Sequence, residues 1–221
     1  MKLLRGPYET FPHFGLGCCE CVCILSKKGD PEGEINGTVT DQNGSPVAAV
    51  AVYAVPQDVT FDGITPRSTK TNRSGEFDFR GGFRLGAYKL YSRKDEDAYP
   101  DRSDSFYADS KAEAPKVDLT GDHPSATVTV VLSEKAGVLV GRVVDADTGA
   151  AVKAKLVFMD EDGNDHSVLV KGKYRALLPP GKNVTLLVMV MSPDYRSQSP
   201  AAPLRLEPGQ EMHMDIPAFK Q

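Results

Sequence analysis

Ile-Asn-Gly-Thr-Val-Thr-Asp-Gln-Asn-Gly-Ser-Pro-Val-Ala-Ala-Val-Ala-Val-Tyr at residues 35–53 and Leu-Val-Gly-Arg-Val-Val-Asp-Ala-Asp-Thr-Gly-Ala-Ala-Val-Lys-Ala-Lys-Leu-Val-Phe at residues 139–158 are one phrase written twice. Each copy runs through a glycine in an apolar stretch (Gly37, Gly141) to an aspartate (Asp41, Asp145). A polar turn closing on glycine follows (Gly44, Gly149), and then a second apolar run begins. Ile35, Gly37 and Val39 alternate with Asn36, Thr38 and Thr40, the period-2 pattern of a strand with one buried face. The two glycines lie 104 positions apart, so the repeating unit is a small domain rather than a solenoid turn.

The 221 residues are enough for one large or two ordinary domains, since domains commonly run about 100–150 residues. The 20 Gly and 16 Pro fall between apolar runs, which predicts many short strands joined by turns and an all-β fold. With a net charge of −4 and basic residues mixed among acids, the chain lacks the clustered Lys and Arg that a phosphate backbone demands. Nucleic acid is therefore not expected as a partner. No run of 18 apolar residues occurs, so no transmembrane helix is predicted.

Working outward from the phrase gives three segments: an irregular leader (1–33), a first sandwich (34–134) and a second (135–221). In the first, Asp41–Gly44 reads as a tight hairpin turn and Val47–Val55 as the strand after it. Phe77 and Phe79, two apart, point the same way, Leu85–Tyr91 is a strand, and Thr127–Leu132 closes the sandwich. Residues 92–124 are polar and read as a long solvated loop. In the second, strands are expected at Val138–Asp145, Ala154–Met159, Val168–Val170, Lys173–Leu177, Val184–Met191, Leu204–Leu206 and Met212–Ile216.

Little in the chain carries chemistry. All four cysteines (Cys18, Cys19, Cys21, Cys23) sit in the leader. Their vicinal, alternating spacing lacks the second knuckle of a zinc site, and they cannot staple the sandwiches. The leader's apolar stretch is broken by a charge, which makes a poor export signal. His13, His123, His166 and His213 are scattered, and no metalloprotease, nucleophile-elbow or phosphate-loop motif occurs. No catalytic residue, metal ligand or cofactor is expected. The acidic turns Asp145–Asp147 and Asp160–Asp165 offer oxygens for calcium, but without an EF-hand context they read as solvated turns. The first strands lack an inward lysine for an internal isopeptide bond. Aromatics at Tyr91, Tyr99, Phe106, Tyr107 and Tyr195 are the candidate ligand contacts, as platforms for sugar rings or simply as edge packing.

Gly37–Asp41 with Gly44–Val47, then Thr71–Phe79, then Leu85–Leu90 resemble the carboxypeptidase regulatory-like domain. The second segment is similar through Gly141–Asp145, Leu178–Thr185 and Leu206–Ile216, although Gly172–Ala176 replaces the aromatic hairpin. The resemblance spans about residues 34–218. It implies two tandem transthyretin-like Greek-key β-sandwich domains. The family is named for an accessory domain beside a metallocarboxypeptidase, and no peptidase is present in these residues. The function implied is a non-catalytic binding or structural module of a secreted or bacterial envelope protein, with a protein or polysaccharide surface as partner. The alternatives are a starch-binding-like carbohydrate module and an accessory to a separately encoded hydrolase. Oligomeric state is left open.

Overall fold

Alternating sequence becomes strand almost throughout the computed structural model, which describes residues 32–57, 66–79, 82–108, 113–196, 199–200 and 202–221. The leader's cysteines lie outside the described residues. The strands are β1 (Glu32–Thr40), β2 (Ala51–Pro56), β3 (Arg67–Lys70), β4 (Glu76–Asp78), β5 (Phe83–Arg84), β6 (Gly86–Arg93), β7 (Lys116–Leu119) and β8 (Ser125–Val131) in the first half. The second half holds β9 (Gly137–Asp145), β10 (Lys153–Asp160), β11 (Asp165–Lys171), β12 (Lys173–Leu178), β13 (Val184–Val190), β14 (Tyr195–Arg196), β15 (Glu211–His213) and β16 (Ile216–Lys220).

The first half is a sandwich. One layer is β4-β1-β8, with β5 on the start of β1, and the other is β3-β2-β6-β7. Ile35, Val39, Phe77 and Val130 from one layer meet Val52, Ala54, Leu90, Val117 and Leu119 from the other in a closed core. Phe77, Phe79, Phe83 and Tyr88 form a chain of edge-to-face contacts with centroids 5.7, 5.4 and 5.1 Å apart.

The second half repeats the pairing scheme. β9 takes β12 antiparallel and the closing strands β15 and β16 parallel, as β1 takes β4 and β8. β10 lies between β11 and β13, as β2 lies between β3 and β6. Here the layers join through β11–β12 into one continuous sheet around a second core that includes Leu139, Leu156, Phe158, Leu186 and Ile216.

The repeated phrase acquires its reason in this scheme. A Cβ on Gly37 would overlap the Val128 carbonyl oxygen in β8, and one on Gly141 the Met214 carbonyl oxygen between β15 and β16, so each glycine lets the closing segment of its half pass close by. Each aspartate folds the turn that follows it. Asp41 Oδ1 accepts from the amides of Asn43 and Ser45, both at 2.9 Å. Asp145 Oδ1 accepts from Asp147 at 3.0 Å and from the Thr148 amide at 2.7 Å.

Several expectations need correction. Asp41–Gly44 is a turn but not the tip of a hairpin. Beyond one bridge at Thr40–Pro46 the chain crosses to the opposite layer, and β2 starts only at Ala51. The crossing lets Val39 and Val52 enter the same core from two sides. The polar strand β3 was not expected. Leu204–Leu206 is no strand: Leu204 makes a single bridge to Val184. The last strand is two pieces, because the Asp215 carboxylate takes the Arg142 amide at 2.8 Å where a backbone carbonyl would continue the ladder. The segment 92–124 is not a loose loop, for it contains β7 and an ordered clasp.

Candidate functional site: the seam between the two sandwiches

The clasp is built from the segment that follows β6. Lys94 and Tyr99 exchange backbone hydrogen bonds at 2.8 and 3.0 Å and close a 3₁₀ turn over Asp95–Asp97. Asp104 then caps a second 3₁₀ turn, Ser105–Tyr107, by accepting from the Phe106 amide at 3.0 Å. That turn drives Phe106 out of its own sandwich and into the core of the other, where it is 0% exposed among residues such as Leu139 and Phe158.

Polar contacts hold the ring in place. Asp104 Oδ2 lies 2.9 Å from His166 Nδ1 on β11, and the His166 ring stacks on Phe106 at 5.9 Å. Tyr107 packs edge-on to Phe106 and donates its hydroxyl to the Leu177 carbonyl at 3.2 Å. Burial, with Asp104 and Asp95 nearby, pushes the Tyr107 phenol well above its ordinary range. Arg175 on β12 donates to the Asp95 carbonyl at 2.9 Å. Beneath these contacts Ala98, Ala136, Val138 and Leu177 form a small third core.

Beside the clasp lies a cleft of about 550 Å³. Tyr107, Pro100, Pro179 and Pro180 give it apolar walls, and Glu134, Asn164 and Lys182 give it polar ones. A smaller depression of about 210 Å³ adjoins it along Ser133 and Glu134, lined by Tyr99 and Lys135. Lys135 Nζ sits 5.4 Å from the Tyr99 ring centroid.

The structure thus gathers Tyr99, Phe106 and Tyr107 at the seam and leaves two candidates elsewhere. Tyr91 lies on β6 opposite Tyr53. Tyr195 belongs to a buried-carboxylate site, donating to Asp145 Oδ2 at 2.6 Å. That bond, with those from Thr148, holds the Asp145 carboxyl far below the usual carboxylate range. Phe106 is corrected outright: a fully buried ring is an anchor and offers no face to a ligand. Nothing in the sequence joins His166, Asp104 and Arg175, because 62 residues separate the first pair and 80 separate Arg175 from its acceptor Asp95.

The acidic turn at Asp160 is also internally satisfied. Asp160 Oδ1 accepts from the amides of Asp162 and Asn164, and Lys182 Nζ sits 3.1 Å from Oδ2 and 2.8 Å from Asp162. Desolvation pushes the Asp160 carboxyl up, but the bonds from Asn164 and Lys182 outweigh it and leave it lowered. Lysine occupies the cation position of this turn.

The strand order and paired cores define a β-sandwich protein. Residues 34–98 match the family described as carboxypeptidase regulatory-like domain. Among solved structures, the Bacillus anthracis TIE protein is 15% identical over 86% of this chain and 34% of its own, with a TM-score of 0.35. A streptococcal ancillary pilin is 19% identical over 88% of this chain and 64% of its own, with a TM-score of 0.36. The shaft pilin SpaA from Lactobacillus rhamnosus GG is 12% identical over 86% of this chain and 98% of its own, also with a TM-score of 0.36. The chain therefore spans about a third of the first structure and just under two thirds of the second. No curated protein matches the chain.

Proposed function

We propose that the chain is a non-catalytic structural and interaction module, exported to the bacterial envelope or beyond, in which sandwiches 34–134 and 135–221 are clamped into one rigid unit that presents the seam to a protein partner. The observation that carries this reading is Phe106, a residue of the first sandwich's connecting segment buried to 0% in the second core. A flexible tether would leave that ring at the surface, whereas a spacer that must hold two surfaces in register benefits from the lock. The buried carboxylates support the same reading. Asp145 is spent on Tyr195, Thr148 and Lys220, and Asp160 on Asn164 and Lys182. Both are committed to holding turns rather than poised for proton transfer.

Protease shaving and antibody labelling of intact producing cells test the placement. Full protection of the chain on intact cells, with cleavage only after lysis, defeats the envelope reading. The cleft beside Tyr107 favours carbohydrate as a second ligand class, since it pairs an aromatic edge with amide and charged groups. Absence of reproducible binding on a glycan array removes that reading.

A further inference from the structure

The outer face of β10, β11 and β13 carries apolar side chains where solvent-facing polar ones are ordinary for an antiparallel sandwich. Strand register sets three rows across it: Leu169–Lys155–Met189, Ser167–Val157–Leu187 and Asp165–Met159–Thr185. Leu169 is 61% exposed and Met189 51%, with Met159 and Leu187 exposed beside them, and Met191 follows at 55%. The corresponding face of the first sandwich, on β2, β3 and β6, shows what the fold itself requires. It carries half-buried Tyr53, Val55 and Tyr91 among Ser68, Lys70, Lys89 and Arg93, and no exposed Leu, Ile, Met or Phe. What is particular to the second sandwich is the exposure of its Leu and Met side chains on this face.

Charge is laid out along this face with a direction. Lys153, Lys155 and Lys171 are exposed at one end of the strands, and Glu161 and Asp165 at the other, where Asp162 is already paired with Lys182. We propose that a second copy of the chain docks on this face, the two sheets packing face to face about a two-fold axis that lies in the contact plane and runs across the strands. Such an axis lays Lys153 and Lys155 of each copy over Glu161 and Asp165 of the other. An axis along the strands would place like charge on like. One face with opposite charges at its two ends and an apolar middle is complementary to itself in this orientation, which is the requirement of an isologous dimer. Met159 and Met189, flanking the central Val157–Leu187 row, can repack without demanding a fixed fit.

Three strands about 4.8 Å apart and about 23 Å long give roughly 330 Å² of plan area per copy, well below a standard interface. The dimer is consequently weak and concentration-dependent. This inference goes beyond the proposed function and does not depend on the seam.

Sedimentation of the full chain in reducing buffer, so that the leader cysteines form no cross-link, tests it between roughly 10 μM and 1 mM. The mass should rise from 23.9 kDa toward twice that value. Leu187→Glu with Met189→Glu should weaken association at least about tenfold while circular dichroism and melting stay unchanged, because both side chains are exposed. Lys155→Glu and Asp165→Lys should each weaken it, and the two together should restore it. A chain that stays monomeric throughout overturns the proposal. So does association that the Leu187 and Met189 changes leave intact, or a charge swap that fails to recover.

Discussion

Replacing Phe106 with alanine should destabilise a sandwich to which that residue does not belong in sequence. The ring is fully buried and touches His166 on one side and Tyr107 on the other. Truncating a buried phenylalanine to alanine costs about 3–5 kcal/mol, with the spread set by how far the surroundings collapse into the hole. The lower figure applies here, because a surface segment can lift away and let water in. A domain of 60–100 residues shifts its melting temperature by about 4–8 °C per kcal/mol, so the second sandwich should melt about 12–24 °C lower. Calorimetry of the full chain under reducing conditions reads this directly, and hydrogen exchange adds location. Amides of Asp97 and Ala98, bonded within the first turn of the clasp, should lose protection together with Tyr107. A drop of less than about 4 °C would mean that the ring is not a core residue, and the argument for a clamped seam would fall with it.

Four further outcomes follow from the same geometry. Gly37→Ala and Gly141→Ala should each cost about 3 kcal/mol or more in their own sandwich by denaturant titration, since a Cβ at either site overlaps a backbone carbonyl; a tolerated alanine would contradict the close passage. Tyr174→Phe should cost about 1–2 kcal/mol, because it removes the hydroxyl that donates to the Met214 carbonyl at 2.5 Å and leaves that oxygen unsatisfied. The Tyr174 phenol, pushed up to about 12 chiefly by burial and also by Asp215, should stay neutral in an alkaline spectrophotometric titration until the exposed tyrosines have ionised. Asp145 has its carboxyl lowered by the Tyr195 and Thr148 bonds, so its contribution is present above the ordinary aspartate value near 3.9 and fades as pH falls below it. Tyr195→Phe should therefore flatten the acid limb of a stability-against-pH curve, and an unchanged limb would show that the bond does not set the titration.

The sandwiches were legible wherever one element's pattern was decided by its own core. Ile35 and Val39 alternate with polar neighbours because the layer opposite belongs to the same sandwich, and the period survives in the sequence. Positions that depend on a distant partner were not legible. Arg67–Lys70 has no apolar alternation at all, and it is a strand because β2 offers an edge to pair with. Met212–Ile216 keeps its alternation yet breaks in two, because the Asp215 side chain competes with the backbone for one amide. Nothing local distinguishes an aspartate that will do so.

Phe106 is the sharpest case, and it explains why the site was harder to read than the fold. Flanked by Asp101, Ser103, Asp104 and Ser105, it has the composition of a solvated loop, and composition is a sound guide when a loop's only neighbour is water. Here the neighbour is a second hydrophobic core that offers a place for one ring. The polar residues around it are not solvated spacers but the fittings of that insertion: Asp104 caps the turn and reaches His166, and the Asp95 carbonyl receives Arg175. Hydrophobic periodicity records which face of an element is inside, but it carries no label for whose inside. A pair of aromatics in a polar stretch between two β domains is therefore ambiguous in sequence and unambiguous once the partner core is in place. The lock that makes two sandwiches one unit was written in residues that, read singly, describe a surface.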